Sequence, residues 1–186
     1  MEYRVATLHD IDDVLKLYFR YQVNFIKEED KKDGFVTTVF TKEELTKLVV
    51  NEQGLFVASK DEKIVAYVMS ASWKFWSVWP MFEYMIKDLP NLKYLGQHLS
   101  IYNSYQYGPI CIDKDVRGSG VLEKLFDFSR ANMAKKYPIL VTFVNKINTR
   151  SYEAHKRKLK LKIIQEFEYN NNSYYEMVYD TSKKVI

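Results

Sequence analysis

The sequence predicts one mixed α/β domain built around a strand–helix–strand unit. An apolar, β-prone run over 105–112 leads into a glycine turn and an amphipathic segment over 119–136, and an almost continuously apolar run follows at 139–144. Such a unit folds as a right-handed parallel crossover. Further β-prone runs lie at 3–8, 55–59, 64–70, 162–169 and 173–179. Strands interspersed with helices indicate one sheet covered by helices, so we expect residues 1–186 to form a single domain.

Helix starts and hairpin turns agree with this order of elements. Ser, Thr, Asp and Asn side chains cap helices, and an acidic residue three positions later completes a capping box. Polar turns at Lys60–Lys63 and Asn170–Asn172 join neighbouring strands into hairpins. The expected helix starts are Thr7 or Asp10, Thr41 with Glu44, and Asn148 or Ser151.

Residues 71–104 form an aromatic-rich insert between two predicted strands. We expect helices over 81–88 and 92–98 inside it. Aromatic side chains at this density either wall a pocket for an apolar or cationic ligand, or pack as a core or a homodimer contact. The three tryptophans of the chain all lie here, at Trp73, Trp76 and Trp79.

Composition and charge exclude several classes of protein. The 28 basic and 24 acidic residues leave a net charge of +4, which is too small to indicate a nucleic-acid partner. No apolar run approaches the roughly 18 residues of a transmembrane helix, and the N-terminus lacks a secretory pattern. We therefore expect a cytoplasmic protein with no membrane partner, and no metal site is predicted. The single cysteine, Cys111, excludes an internal disulfide and is expected to be a buried structural thiol.

Two glycines, Gly118 and Gly120, stand where the strand over 105–112 gives way to a helix. Glycines at such a junction let backbone N–H groups converge, and the helix N-terminus adds its dipole, so the turn suits a phosphate. A Walker loop is excluded by spacing, and a dinucleotide fingerprint would need a third glycine where Glu123 stands. Arg117 and Gly120 instead match the spacing Arg/Gln-x-x-Gly-x-Gly/Ala of a loop that binds the pyrophosphate of acyl-CoA.

At these residues the chain resembles the GNAT N-acyltransferase superfamily, and the order of elements is similar over Tyr3–Tyr179. The segment 110–121 looks like the family's fourth strand and pyrophosphate loop. After the predicted strand over 139–144, the family's Asn, small residue and aromatic residue are filled by Asn148, Ser151 and His155.

Three departures from the family pattern are visible. Leu122 stands where Gly or Ala is preferred, and His155 stands where Tyr is commoner. The run Lys156–Leu161 lacks the glycine that usually ends this helix. The first two departures, at Leu122 and His155, motivate one alternative, a CoA-binding regulatory module with little catalysis.

The resemblance implies a mostly antiparallel sheet flanked by helices, with a central parallel pair formed by the fourth and fifth strands and the aromatic insert before the fourth. It also implies acetyl-CoA as the acyl-donor substrate, bound in a cleft between those two strands. The implied donor-binding residues are Ile110, Cys111 and Ile112 for the pantetheine arm, Arg117, Gly118, Ser119, Gly120, Val121 and Leu122 for the pyrophosphate, and Asn148 for the cofactor arm.

In this family reading, an amine attacks the thioester directly while both substrates are bound. By position His155 is the candidate acid for the leaving thiolate, and Tyr152, on the same helical face, can substitute. The base that deprotonates the incoming ammonium is left open between Tyr105, Tyr107, Glu83, Asp88 and a water chain.

The sequence therefore predicts an N-acetyltransferase that moves an acetyl group from acetyl-CoA to a primary amine of a small molecule. A protein lysine or N-terminal acetyltransferase is the alternative within the same chemistry. The predicted acceptor-binding residues are Trp73, Trp76, Trp79 and Tyr107.

Overall fold

In the computed structural model the backbone is described over all 186 residues, and only the side chain of Asp33 lies outside the described part. The strands are β1 (Glu2–Val5), β2 (Leu55–Lys60), β3 (Lys63–Ala71), β4 (Lys93–Tyr94), β5 (Gln97–His98), β6 (Ser104–Ile112), β7 (Ile139–Asn145), β8 (Lys162–Tyr169) and β9 (Asn172–Asp180). The α-helices are α1 (Ile11–Tyr21), α2 (Lys42–Lys47), α3 (Trp73–Trp76), α4 (Pro80–Asp88), α5 (Val121–Met133) and α6 (Thr149–Glu153).

Seven strands form one sheet in the order β1-β2-β3-β6-β7-β9-β8, and β4 pairs with β5 separately. The chain divides into two compact units. The first contains 1–70 with 108–129 and Ile186, and the second contains 71–107 with 130–185. Strand β6 therefore contributes its last residues to the first unit and its first residues to the second.

The first unit has an antiparallel β1-β2-β3 arrangement, with Glu2 opposite Ser59 and Leu55 opposite Met69. The backbone N–H of Asp113, just after β6, donates to the carbonyl of Val65 in β3. Helix α2 begins with the expected capping box, in which the Thr41 side chain accepts from the Glu44 N–H. This unit positions the glycine turn at the end of β6.

The second unit combines a parallel and two antiparallel strand pairs. Three residue pairs join β6 and β7 in parallel, from Ser104↔Ile139 to Gln106↔Val141, and β9 pairs antiparallel with both β7 and β8. The carbonyl of Tyr107 then accepts a hydrogen bond of 2.7 Å from the Thr142 hydroxyl. Side chains at Ser104 and Gln106 face the insert, and those at Tyr105 and Tyr107 face the opposite side of the sheet.

The predicted mixed α/β architecture with a mostly antiparallel sheet is confirmed. The parallel strands are the sixth and seventh, not the fourth and fifth, because the insert adds the β4–β5 hairpin. The helix expected over 92–98 is wrong: Leu95 and Gly96 take positive φ, which turns the chain into that hairpin. Among the described residues, no helix has the length and apolar character needed to cross a membrane.

Candidate functional site

The glycine turn predicted from the sequence forms an open loop between β6 and α5. Gly118 and Gly120 have φ of 79° and 81°, which an L side chain rarely adopts. A Cβ placed on either glycine would meet no atom within 4 Å, so the backbone is open to an approaching group. Helix α5 begins at Val121 and runs for 13 residues, which puts a helix N-terminus at the end of the loop. The loop therefore fits a pyrophosphate or a similar anion.

The side chain of Arg117 connects this loop to the end of β6. Its Nε donates to the carbonyl of Ile112 at 2.9 Å, and its guanidinium lies 5.0 Å from the ring centroid of Tyr21. The Tyr21 hydroxyl in turn accepts from the backbone N–H of Lys114 at 2.9 Å. Arg117 thus holds the loop to the end of β6, a structural role that does not require its charge to touch a ligand.

A cavity of about 320 Å³ lies next to the Arg117 side chain, within the first unit. Four cationic side chains face one carboxylate there, so the cavity favours anionic groups. Arg20 also pairs with Asp113, which is buried at the start of the loop. The lining residues are Arg20, Tyr21, Phe25, Ile26, Lys27, Asp30, Lys114 and Arg117.

On β6, Cys111 is buried as expected, and burial raises the pKa of its thiol to about 12. A buried, protonated thiol is a poor nucleophile, which agrees with the structural role expected for Cys111. Ile110 and Ile112 on either side are partly exposed. Their backbone remains the predicted place for the pantetheine arm.

Asn148 caps the helix that carries the predicted acid. Its side-chain oxygen accepts from the backbone N–H of Ser151 at 3.2 Å, and α6 starts at the next residue. The helix continues beyond Glu153 as a π-helical turn over Ala154–Lys158. Asn148 and Ser151 therefore have a local structural role whether or not they touch a ligand.

His155 lies in this π-helical turn and is only 5% exposed. Its Nδ1 is 2.7 Å from the carbonyl oxygen of Ser151, and its ring is edge-on to Tyr107 at 5.7 Å between centroids. A carbonyl only accepts hydrogen bonds, so Nδ1 carries the proton. Burial lowers the pKa of His155, so the ring is neutral and its Nε2 is an acceptor. This geometry suits a hydrogen-bond acceptor better than an acid.

Tyr152 is half-buried on the same helix, one turn before Lys156. Its ring stacks on Tyr175 at 4.6 Å between centroids, and its hydroxyl accepts from the Lys156 Nζ at 2.8 Å. Because the Tyr152 oxygen accepts this bond, its own hydrogen is available for donation to another group.

The insert tryptophans differ in exposure. Trp73 and Trp76 are fully buried, and their indole N–H groups donate to the Ser104 hydroxyl and the Gln106 carbonyl at 2.9 and 3.1 Å. These contacts favour the packing alternative for both. Trp79 is partly exposed and lies 5.6 Å from Trp76, so it is the tryptophan that a ligand can reach.

Among solved structures, the ribosomal-protein-alanine N-acetyltransferase of Brucella melitensis matches with a TM-score of 0.63 and 14% identity, over 97% of this chain and 99% of that chain. The structure of yncA from Salmonella typhimurium with its cofactor acetyl-CoA matches with 0.63 and 10%, over 97% and 93%. The N-acetyltransferase of Staphylococcus aureus Mu50 matches with 0.60 and 18%, over 97% and 98%. The chain has the GNAT fold. Neither models of known families nor curated proteins gave a match.

The GNAT fold of this chain buries a carboxylate that the sequence pattern does not predict. Glu176 in the middle of β9 is 1% exposed, although the residues beside it predict an ordinary buried strand. Its Oε2 accepts from the Gln165 Nε2 at 2.7 Å, and the same nitrogen donates to the Asp88 carboxylate at 2.7 Å. The detectable signal was a carboxylate in phase with Tyr174 and Val178, both of which point into the core.

The four side chains that the sequence offers as the base lie in different surroundings. Burial raises the pKa of both Tyr105 and Tyr107, so their hydroxyls stay protonated and neither supplies a phenolate base. Glu83 is exposed and pairs with Lys87. Asp88 accepts a hydrogen bond from the Gln165 amide nitrogen, which also donates to Glu176. We call these three side chains the Glu176 group.

Proposed function

We propose that the chain is an acetyl-CoA-dependent N-acetyltransferase that acylates a primary amine of a small molecule. The observation that carries this proposal is the open loop at Gly118 and Gly120, followed directly by the N-terminus of α5. The GNAT fold supports it, and one neighbour of that fold was solved with its cofactor acetyl-CoA.

The donor would be held by the backbone of two adjoining segments of the first unit. The N–H groups of Arg117–Leu122 would bind the pyrophosphate, with Arg117 holding the loop in shape through its bond to the Ile112 carbonyl. The backbone of Ile110–Ile112 would bind the pantetheine arm. When bound, acetyl-CoA supplies an activated thioester carbonyl to an attacking amine.

Leu122 is the residue at which this loop departs from the family pattern. It is half-buried one residue into α5, so part of its side chain packs on the protein and part stays at the surface. Its backbone N–H lies in the first turn of the helix, where it has no partner within the helix itself. We therefore propose that Leu122 contributes its N–H to anion binding and tunes affinity through its size.

Tyr152 is the residue that we propose as the acid for the leaving thiolate. Its hydroxyl oxygen accepts from the Lys156 ammonium, which leaves the hydroxyl hydrogen available for donation. We do not propose His155 as the acid, because its Nδ1 proton is donated to the Ser151 carbonyl and burial lowers the pKa of its ring.

A second acceptor class is favoured by one comparison. The Brucella melitensis neighbour is a ribosomal-protein-alanine N-acetyltransferase, which acts on a protein rather than on a small molecule. The burial of Trp73 and Trp76 also leaves fewer insert aromatics free to close a small pocket. An acceptor panel that holds both small amines and short peptides with a free N-terminus separates the two.

Thermal unfolding with acetyl-CoA, CoA and NADH tests the donor. We expect both CoA species to raise the melting temperature and NADH to leave it unchanged. Stabilisation by NADH alone would overturn the assignment. Stabilisation by CoA species without acceleration by any amine or peptide would instead support the regulatory module.

A further inference from the structure

The cavity next to Arg117 lies apart from the glycine turn. Its walls come from the end of α1, from the residues that follow α1, and from Lys114 and Arg117. Among the described residues that line it, none belongs to the turn at Gly118 and Gly120 or to helix α5. The cavity and the proposed pyrophosphate loop are therefore two places in the first unit that share only the Arg117 side chain.

The positive charge of this cavity exceeds what the neighbouring carboxylates neutralise. Arg20 is paired with Asp113, which is buried. Lys27 and Lys114 form no ion pair with any described side chain. Asp30 is the one carboxylate among the described lining residues. Cations that line one cavity without counter-charges of their own attract a phosphate or a carboxylate.

A small network holds the two arginines of the cavity in place. Asp113, the partner of Arg20, accepts a hydrogen bond of 3.3 Å from the Tyr21 hydroxyl. The same hydroxyl accepts from the backbone N–H of Lys114 at 2.9 Å, and the Tyr21 ring lies 5.0 Å from the Arg117 guanidinium. A guanidinium that is already positioned loses little freedom when it binds an anion, so the network prepares the cavity for one.

The cavity also has an apolar side, formed by Phe25 and Ile26. Phe25 is 67% exposed, and its ring meets the edge of Phe19 at 5.5 Å between centroids. An apolar group that covers Phe25 would remove this surface from water, which favours binding. The volume of about 320 Å³ lies at the lower end of the roughly 300–1,000 Å³ of small-molecule pockets. The cavity therefore suits a charged group together with one ring.

We propose that this cavity binds a small organic anion, a phosphate or carboxylate on an apolar or aromatic body, separately from the acyl donor. Lys27 and Lys114 supply the charge, Arg20 supplies a positioned N–H donor, and Phe25 covers the apolar body. The molecule is either the acceptor itself or a separate effector, and this chemistry is common to both. Binding does not depend on the proposed acetyltransferase function, so the two can fail independently.

Phenyl phosphate is the probe, with benzyl alcohol as its uncharged counterpart, and calorimetry at constant ionic strength measures binding. We expect phenyl phosphate to bind with a Kd of about 1 mM or lower and benzyl alcohol not to bind. The variant Lys27→Gln/Lys114→Gln should raise that Kd at least about tenfold. Phe25→Ala should weaken phenyl phosphate more than inorganic phosphate, which general charge attraction would not do.

The matched control is Lys60→Gln/Lys63→Gln, which removes two exposed lysines from the β2–β3 hairpin of the same unit. Both double variants lower the net charge equally, and both change exposed side chains. We expect the hairpin variant to bind phenyl phosphate as the wild type does. An equal loss of affinity in the two double variants, or no loss in Lys27→Gln/Lys114→Gln, would overturn a site at this cavity.

A second titration, at saturating acetyl-CoA, tests whether the cavity is separate from the donor loop. We expect phenyl phosphate to bind together with the donor, with a Kd changed less than about fivefold. Displacement of phenyl phosphate by acetyl-CoA would overturn the proposal and assign these cations to the donor. A protein that binds phenyl phosphate but not acetyl-CoA would overturn the acetyltransferase function alone.

Acetylation rates then distinguish the two sources of the anion. The pair to compare is 2-phenylethylamine and tyramine O-phosphate, which carries a phosphate on the same ring. If the anion belongs to the acceptor, kcat/KM should be at least about tenfold higher for tyramine O-phosphate, and Lys27→Gln/Lys114→Gln should abolish that preference. Equal kcat/KM for both amines, with phenyl phosphate binding retained, would support the site as that of a separate effector.

Discussion

The Nδ1 atom of His155 lies 2.7 Å from the carbonyl oxygen of Ser151, and this contact determines which ring nitrogen carries the proton. Because the neutral ring keeps its hydrogen on Nδ1, the Nε2 atom can only accept. Burial lowers the pKa of the ring and so maintains that state at neutral pH. This is why the proposed acid is Tyr152, three residues earlier.

Replacing Tyr152 by Phe keeps the stacking on Tyr175 and removes only the hydroxyl. We expect kcat for amine acetylation to fall roughly 100-fold, because the thiolate loses its proton donor, with little change in the KM for acetyl-CoA. Tyr102→Phe, at an exposed position, is the control and should behave as the wild type. Thiol release with a saturating amine measures both. Unchanged kcat in Tyr152→Phe would return the acid role to His155.

The loop account predicts the effect of adding one methyl group at Gly120. The Cβ would stand in open space, at a positive φ that costs about 1–2 kcal/mol for a non-glycine residue. Gly120→Ala should raise the Kd for acetyl-CoA at least tenfold, because the methyl occupies the space where the pyrophosphate would lie. Gly96→Ala is a matched control, since Gly96 has a similar φ of 75° and an equally open Cβ position.

Calorimetric titration of acetyl-CoA into both glycine variants gives the comparison. The strain on the backbone is similar in the two, so it cancels. An equal loss of affinity in Gly96→Ala and Gly120→Ala would show that strain, and not the loop, sets binding.

Asp10 at the start of α1 predicts a pH-dependent contribution to stability. Its hydrogen bonds with the Arg4 guanidinium at 2.7 and 2.8 Å, with further help from Thr7, lower its pKa to about 2. A lowered carboxyl pKa stabilises the fold above the unfolded value of about 3.9, and the stabilisation is lost as the pH falls toward 2. Asp10→Asn should lower the free energy of unfolding at pH 7 by roughly 1–2 kcal/mol. The effect stays this small because Arg4 is partly exposed and solvent screens its interaction with Asp10.

Urea unfolding at pH 7 and at pH 2 measures this effect. The difference between Asp10→Asn and the wild type should shrink toward zero at pH 2. Asp12→Asn, which breaks an exposed pair with Lys42, should leave stability nearly unchanged. A deficit in Asp10→Asn that persists at pH 2 would assign the effect to packing.

The buried carboxyl of Glu176 predicts the opposite dependence of stability on pH. Its pKa of about 7 lies above that of an unfolded glutamate, so the unfolded chain binds fewer protons between about pH 4.3 and 7 and stability falls as the pH rises through that window. Glu176→Gln should therefore be more stable than the wild type at pH 8, by about 3 kcal/mol, and nearly equal to it at pH 4. Denaturant unfolding at the two pH values measures it, and a less stable variant at pH 8 would contradict the buried, uncompensated charge.

Local patterns predicted most of the framework. The capping box at Thr41 and the Asn148 cap both form as expected, because each depends on residues three positions apart. The hairpin at Lys93–His98 was missed because positive φ at Leu95 is a rare choice for a leucine, and helical spacing of apolar residues outweighed it.

Only the part of the site that adjacent residues form could be predicted from the sequence. The loop at Gly118 and Gly120 depends on adjacent residues, so spacing alone located it. The Glu176 group joins residues from α4, β8 and β9, and sequence order gives no sign that Asp88, Gln165 and Glu176 share two hydrogen bonds. Likewise the carbonyl that fixes the His155 proton becomes visible only once the helix is built.

Release of CoA thiol from acetyl-CoA, followed with and without a panel of primary amines and peptides, tests the central claim most directly. We expect slow release with donor alone and a saturable acceleration by at least one primary amine, accompanied by one acetyl group on that amine. Release that no amine or peptide accelerates, in a protein that acetyl-CoA stabilises, would contradict it.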